Sequence, residues 1–430
     1  MLVVQDLSRH GLQLDLRSFF ALRTAEKIAV TLEHLRTKKD SFKLKSTFNY
    51  EIPLLPQQKR LWFLARLHPN RDSYIIRLLV DIEGQLDLKR FNVALHRVLM
   101  SNPAVRSIIK NGKEPVFSRQ SGTECFHDLS QDDVENPSIN DNSLITARLR
   151  KCSSSFEFDL RIHHLISDGR SLAVLGEEIA NAYNGGQTKK EDPTFFENSA
   201  HNDVLDFWKK YLSGYEPCSV DGNRICGVVE GEAGYVTANL SFIENLRVQE
   251  FCSTHQCTLY HLLVMAYVQT IRMTYDKEDV IVGTTVANRT AENINTVGLF
   301  ANTIPLRFSK EFIDFKEQLA YTVEQILSAM EYQTTPLAKI IEEMVRERDV
   351  ESAPLFQQVI TFESTSINEL PKMEGLTTKC RTTKTFYTQF DQSWIFHPGE
   401  GLSLTVQYDK SRFSLQHMTT LCIDAEEFEQ

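Results

Sequence analysis

A nine-residue alternation followed by a tight turn constrains this chain more than any other feature. In Phe156-Glu157-Phe158-Asp159-Leu160-Arg161-Ile162-His163-His164, apolar and charged residues alternate with the period of a β-strand. Phe156, Phe158, Leu160 and Ile162 fall on one face with His164, and Glu157, Asp159, Arg161 and His163 on the other. Asp168-Gly169 then reads as a turn, and a helical pattern runs from about Arg170 to Tyr183, where Gly185-Gly186 stops it. Strand, paired histidines, turn and helix compress into about 30 residues. On this pattern His164 faces a largely dry interior, where a neutral imidazole can accept or donate a proton near neutral pH.

The surrounding chain supports an α/β (α+β) layered fold. Ser73–Gly84 reads as a strand, Asp87 as the cap of a helix over Leu88–Met100, and strands follow near Ala104–Lys110 and Leu144–Arg150. A helix at Asp203–Leu212 precedes a second run of alternating elements. That run has helices at 241–254 and 257–274 and strands at Asp279–Ala287 and Asn302–Phe308. Helices at 312–331 and 336–347 follow, then strands at Phe356–Glu363 and Leu402–Asp409, and a last helix at Leu415–Phe428. The two halves share element order but not residues, which predicts two similar lobes, at 48–215 and 216–430.

At 430 residues the chain is long enough for more than one core. Its formal charge of −10, without a basic stripe, argues against nucleic acid as a partner. No apolar run approaches the ~18 residues of a membrane span, and no basic-then-apolar leader opens the chain. The eight cysteines are scattered without a Cys-x-x-Cys pair, which suits buried thiols in a reducing, cytoplasmic setting and no structural metal. Neither a phosphate-binding glycine loop nor a Gly-x-Ser-x-Gly elbow is present. The other ten histidines show no ligand spacing, and Trp62, Trp208 and Trp394 read as packing residues.

Ordered motifs link the chain from about residue 47 onward to a known family. His163-His164-Leu165-Ile166-Ser167-Asp168-Gly169 matches an HHxxxDG signature, and Pro53 to Leu64 (PLLPQQKRLWFL) resembles the opening "PLSxAQxRLWFL". Val105-Arg106-Ser107 stands where "LRT" would, although Ser101-Asn102-Pro103 replaces the usual Arg-His-Glu before it. Val282-Gly283-Thr284, Ala287-Asn288-Arg289-Thr290 and Val297 to Arg307 resemble "GRT…IGxFVNTxPLR". Arg348-Asp349 with Pro354-Leu355-Phe356-Gln357 resembles the late "RDxSRxPLFQ". Together these resemble the condensation domain of a nonribosomal peptide synthetase. Residues 1–37 resemble the last helices of a phosphopantetheine carrier domain without its modified serine, joined by a lysine-rich linker at 38–47.

The resemblance implies a pseudo-dimeric, chloramphenicol acetyltransferase-like V of two lobes with a tunnel between them. It implies amide formation: an amine on a downstream carrier attacks the thioester of an upstream carrier-bound acyl or peptidyl group. No cofactor would be bound by the domain itself, since substrates arrive on phosphopantetheine arms. Carrier domains, and an adjacent adenylation domain, would be its partners. His164 becomes the group that accepts the ammonium proton or holds the amine in line, and both roles fit the sequence. His163 takes an orienting role. Asp168 becomes a structural acid paired with Arg106, and Gly169 a position of close backbone approach and positive φ. Asn302 and Arg307 lie on the segment that bridges the lobes and are architectural. Arg170 stands where an aromatic residue is common. The competing readings are a free-standing acyltransferase using coenzyme A thioesters, an ester-forming variant, and a non-catalytic domain that docks carriers. No glutamate-centred motif in the second lobe suggests epimerisation.

Overall fold

Three β-sheets organise the chain in the computed structural model, which describes residues 14, 16–22, 27–28, 51–69, 71–110, 115–119, 136–140, 143–188, 205–215, 220, 231–290, 292–344, 355–363, 372–398 and 401–427. Helix α1 (Leu16–Leu22) comes first. Most of the segment resembling a carrier, the linker at 38–47 and Arg348-Asp349 lie outside the described residues. The first lobe contains β1 (Glu51–Pro53), α2 (Pro56–Leu67), β2 (Ile75–Gly84), α3 (Leu88–Ser101), β3 (Ser107–Lys110) and β4 (Val116–Arg119). It ends with β5 (Ile145–Lys151), β6 (Ser155–His163) and α4 (Gly169–Tyr183). The second lobe contains α5 (Leu205–Tyr211), β7 (Ala233–Asn239), α6 (Phe242–His255), α7 (Leu259–Tyr275), β8 (Val280–Val286) and β9 (Asn302–Phe308). Next come α8 (Phe315–Glu331), α9 (Leu337–Met344), β10 (Gln358–Phe362), β11 (Leu376–Arg381), β12 (Gln392–His397), β13 (Ser403–Asp409) and α10 (Leu415–Glu427).

Local chemistry accounts for where the helices around the site begin. Asp87 caps α3 by accepting from the Arg90 amide at 3.0 Å, and Asp168 caps α4 by accepting from the Ser171 amide at 2.9 Å. Asp314 caps α8, accepting from the amides of Lys316 and Glu317, so this helix starts at Phe315 rather than at 312 as its apolar pattern suggests.

The first lobe is built on the antiparallel sheet β11-β2-β6-β5. Phe158, Leu160 and Ile162 of β6 meet Val80 and Ile82 of β2, Phe91, Leu95 and Val98 of α3, and Leu172, Leu175 and Ile179 of α4 in one core. Each such side chain fully removed from water contributes about 1.5–3 kcal/mol. The second lobe carries the six-stranded sheet β7-β13-β12-β10-β8-β9, in which β10 runs parallel to both β12 and β8. Its own core contains Trp208, Tyr267, Ile304, Ile326 and Trp394.

Two features depart from the sequence reading. The strand β11, counted by position as part of the 216–430 lobe, pairs with β2 from Leu376↔Gly84 to Arg381↔Leu79 and extends the first sheet. Met373, Leu376 and Cys380 pack into the first core with it. The lobes are therefore not divided by one cut in the sequence, because a strand of alternating exposure fits any open edge that offers its hydrogen bonds. Helix α5 departs the other way: counted by position with the 48–215 lobe, it packs Trp208 into the second core. On the charged face of β6 the carboxylates do not meet solvent. Glu157 and Asp159 are buried in an ionic layer, where Asp159 takes Arg77 at 2.6 Å and Arg161 at 2.9 Å and Glu157 takes Arg148, Arg150 and Arg381. Burial pushes both carboxyls up, but hydrogen bonds and charge from these arginines outweigh it and hold both below the ordinary range.

Helix α1 lies against α8, with Arg17 bonded to Glu324 at 3.0 Å, Ser328 at 2.8 Å and Glu331 at 2.6 Å. These are exposed pairs, of the kind that contributes only tenths of a kcal/mol up to about 1 kcal/mol.

Candidate active site

The strand ends one residue earlier than its alternation suggests, and this changes which histidine is dry. β6 stops at His163, and residues His164–Ile166 form a single 3-10 turn. His163 is buried at 3% exposure, whereas His164 is half-buried. The expected placement of His164 on the dry face is thus corrected: a 3-10 residue does not continue the two-residue period of a strand. Burial, with the neighbouring His164 charge adding to it, pushes the His163 imidazole down to about 3, so it stays neutral. Its Nδ1 accepts the Leu165 amide at 3.2 Å. His163 therefore anchors the turn.

The His164 ring is held by a short hydrogen bond of 2.6 Å between Nδ1 and the Ser167 carbonyl. A carbonyl only accepts, so Nδ1 carries the proton and the neutral ring presents Nε2 as a lone pair. This geometry selects the tautomer required of a proton acceptor.

Asp168 is fully engaged elsewhere. Its Oδ1 accepts from the Ser171 amide at 2.9 Å, the Ser171 hydroxyl at 2.8 Å and Arg289 Nη2 at 2.7 Å. Its Oδ2 accepts from the amides of Phe300 at 3.1 Å and Ala301 at 3.2 Å. The Asp168 and Arg289 side chains are 3% and 0% exposed. Arg106 is not among the partners of Asp168, which corrects the pairing implied by the resemblance. The partner is Arg289, because the cap position aims the carboxylate across the lobe junction at the segment 289–301.

Arg289 in turn donates to the carbonyls of Asn293 and Thr296, both at 2.7 Å, and its guanidinium lies 4.4 Å from the Phe300 ring centroid. Ser171 Oγ, its one proton given to Asp168, accepts the Gly298 amide at 3.0 Å and lies 2.9 Å from the Gly298 carbonyl oxygen. From the first lobe Arg170 reaches Ile294 O at 3.3 Å and Asn295 Oδ1 at 3.0 Å. The bridging segment is stitched to the turn that carries His164.

Gly169 also differs from expectation. It is the first residue of α4 without a positive φ, and a Cβ built there meets nothing within 4 Å. Asn302 donates to the carbonyls of Gln333 at 2.8 Å and Thr335 at 2.7 Å and receives the Leu337 amide, so it ties β9 to the start of α9. Arg307 pairs with Asp279 at 2.8 Å and donates to Ser213 O and Gly214 O. Both tie parts of the second lobe together. The sequence reading missed the roles of Arg289, Ser171 and Gln58. Ser171 had a local signal, three residues after a capping aspartate. Among the described residues no cluster of histidine, cysteine or carboxylate is arranged to hold a metal, and no helix is long and apolar enough to cross a membrane.

The condensation-domain family model matches residues 49–428 of this chain. The chain belongs to the condensation-domain family. Among curated relatives, this condensation domain is 25% identical over 434 residues to bacitracin synthase 3 of Bacillus licheniformis, covering 90% of this chain and 6% of that protein. It is 25% identical over 454 residues to surfactin synthase subunit 1 of Bacillus subtilis, covering 96% of this chain and 12% of the relative. The chain thus spans only a small part of those relatives' length. Two solved structures share the fold: the X-domain from teicoplanin biosynthesis (TM-score 0.77, 17% identity, 90% of this chain and 96% of that one) and the condensation domain of the monacolin K polyketide synthase MokA (0.74, 18%, 90% and 97%). This likeness places the two lobes of the condensation domain in a known α/β architecture.

Proposed function

We propose that this condensation domain forms an amide bond between two carrier-bound substrates in nonribosomal peptide synthesis. The observation that carries the reading is the His164 ring, whose Nδ1–H is given to the Ser167 carbonyl and whose Nε2 is left as an acceptor. A neutral amine on the downstream arm attacks the carbonyl carbon of the upstream thioester, and the oxygen takes up the π-electron pair. His164 Nε2 holds the attacking amine in line and takes its proton as positive charge grows on nitrogen. Collapse of the tetrahedral intermediate breaks the C–S bond, and the departing thiolate recovers the proton. Orientation can supply roughly 7–11 kcal/mol of the barrier, and general base catalysis about 10²–10⁴-fold. His163 and Asp168 act on the turn and on the lobe junction, not on the substrate. The substrates arrive on phosphopantetheine arms of upstream and downstream carriers, with an adenylation domain adjacent, in the cytoplasm; the similarity to much longer synthetases supports this setting.

Reconstitution with an acyl-loaded upstream carrier and an aminoacyl-loaded downstream carrier, followed by mass spectrometry of the intact carriers, tests the proposal. The product should appear on the downstream carrier and be lost in His164→Ala, which should still fold. Turnover with soluble coenzyme A thioesters in place of carriers, wild-type turnover by His164→Ala, or carrier binding without product would each overturn it.

A further inference from the structure

The imidazole of His164 has a defined aim only if the single turn carrying it is held still. A 3-10 turn of three residues has little stability of its own. Here the adjacent residue, Leu165, has both of its backbone groups taken by side chains. Its amide is accepted by His163 Nδ1 at 3.2 Å. Its carbonyl is taken by Gln58, whose Nε2 donates to it at 3.1 Å across 107 positions of sequence. Gln58 is 2% exposed and sits in the first turn of α2. Its Oε1 accepts the Leu55 amide at 2.8 Å. The orientation of this side-chain amide is unambiguous, since a backbone N–H can only donate and a carbonyl can only accept. Pro56, at the first position of α2, fixes the backbone beside it.

We infer that Gln58 is a positioning residue for His164, acting through the Leu165 carbonyl to set the direction of the imidazole Nε2. The inference rests on the catalytic role proposed for His164 but does not share its test. Gln58 lies in the PLLPQQKRLWFL segment, far in sequence from the histidines. A buried amide bonded at both ends fixes geometry in a way that an apolar side chain of the same size cannot.

Two substitutions in the full chain test it. Gln58→Glu keeps the shape and, when protonated, can still donate to Leu165. When ionised it confronts that carbonyl with a second acceptor. Relative to wild type, its kcat should fall on the order of 10- to 100-fold at neutral pH and recover as pH is lowered, with KM for the carriers unchanged. Gln58→Leu should show the loss at every pH. Independently of turnover, the ring nitrogen NMR signals of His164 should shift or broaden in Gln58→Glu at neutral pH and return toward wild type in acid. Unaltered ring signals in Gln58→Glu, or a loss of kcat that follows the melting temperature and has no acid recovery, would overturn the inference. If His164→Ala retained full turnover, the catalytic reading would fall while the ring signals still decided the positioning role.

Discussion

Arg289 reaches across the lobe junction to place its Nη2 2.7 Å from Asp168 Oδ1, in a site where neither side chain is more than 3% exposed. The pair joins the cap of α4 to the bridging segment and lies 121 residues apart in sequence. An ion pair this deep has lost its hydration, so its worth lies in geometry rather than in net attraction, and removal of either partner strands the other.

Asp168→Ala and Arg289→Ala should each destabilise the protein by about 3–5 kcal/mol. A double-mutant cycle by denaturant unfolding should give a large coupling energy for Asp168 with Arg289, and close to none for Asp168 with Arg106. Equal coupling of Asp168 to both arginines would refute this assignment.

Acid should destabilise the fold earlier than carboxylates alone would allow. His163 and His261 are buried and pushed down by that burial, to about 3 and about 4. Both take up protons more readily unfolded, at about 6.5, than folded. Their contribution is therefore complete above pH 6.5 and is lost as pH falls, down to about 4 for His261 and about 3 for His163, at about 1.4 kcal/mol per pH unit for each histidine. Glu157 and Asp159 are held below their ordinary range, so their contribution is lost only at lower pH, as they too are protonated. Stability measured by urea titration should slope across pH 4–6.5, and the slope should flatten in His163→Gln combined with His261→Gln.

Asp72 holds the strap that follows β11. Its carboxylate accepts the Phe386 amide at 2.8 Å and the Tyr387 amide at 3.1 Å, while Ser73 reaches Thr388 O. Asp72→Ala should cost about 1.5–3 kcal/mol. Amide hydrogen exchange should speed up in residues 376–388 before the rest of the first sheet. Uniform exchange across the sheet would argue that β11 is held by its pairing with β2 alone.

Gly169→Ala should fold normally and gain stability by up to about 1 kcal/mol, since the site has no positive φ and no atom near a Cβ. A lower melting temperature would show that the backbone there needs glycine after all.

Local signals carried far in this protein. The alternation of β6, the capping aspartate at 87, the turn at Asp168-Gly169 and the apolar stripe of α3 each depend on residues within one or two turns, and the structure has these elements close to where those signals place them. Five ordered motifs pointed to the family. The other decisions depended on chain segments that meet only after folding. Which arginine reaches Asp168 turned on the path of the bridging segment, since Arg106 and Arg289 are equally charged and equally capable donors. The return of β11 to the first sheet turned on which edge lay open beside it. Which histidine is dry turned on a strand ending one residue early, where Gln58 from another helix meets the turn. A sequence determines periodicity and caps because these are short-range. Ion-pair partners, edge pairing and burial at a strand's end are choices among equivalent groups, and only the tertiary structure makes them.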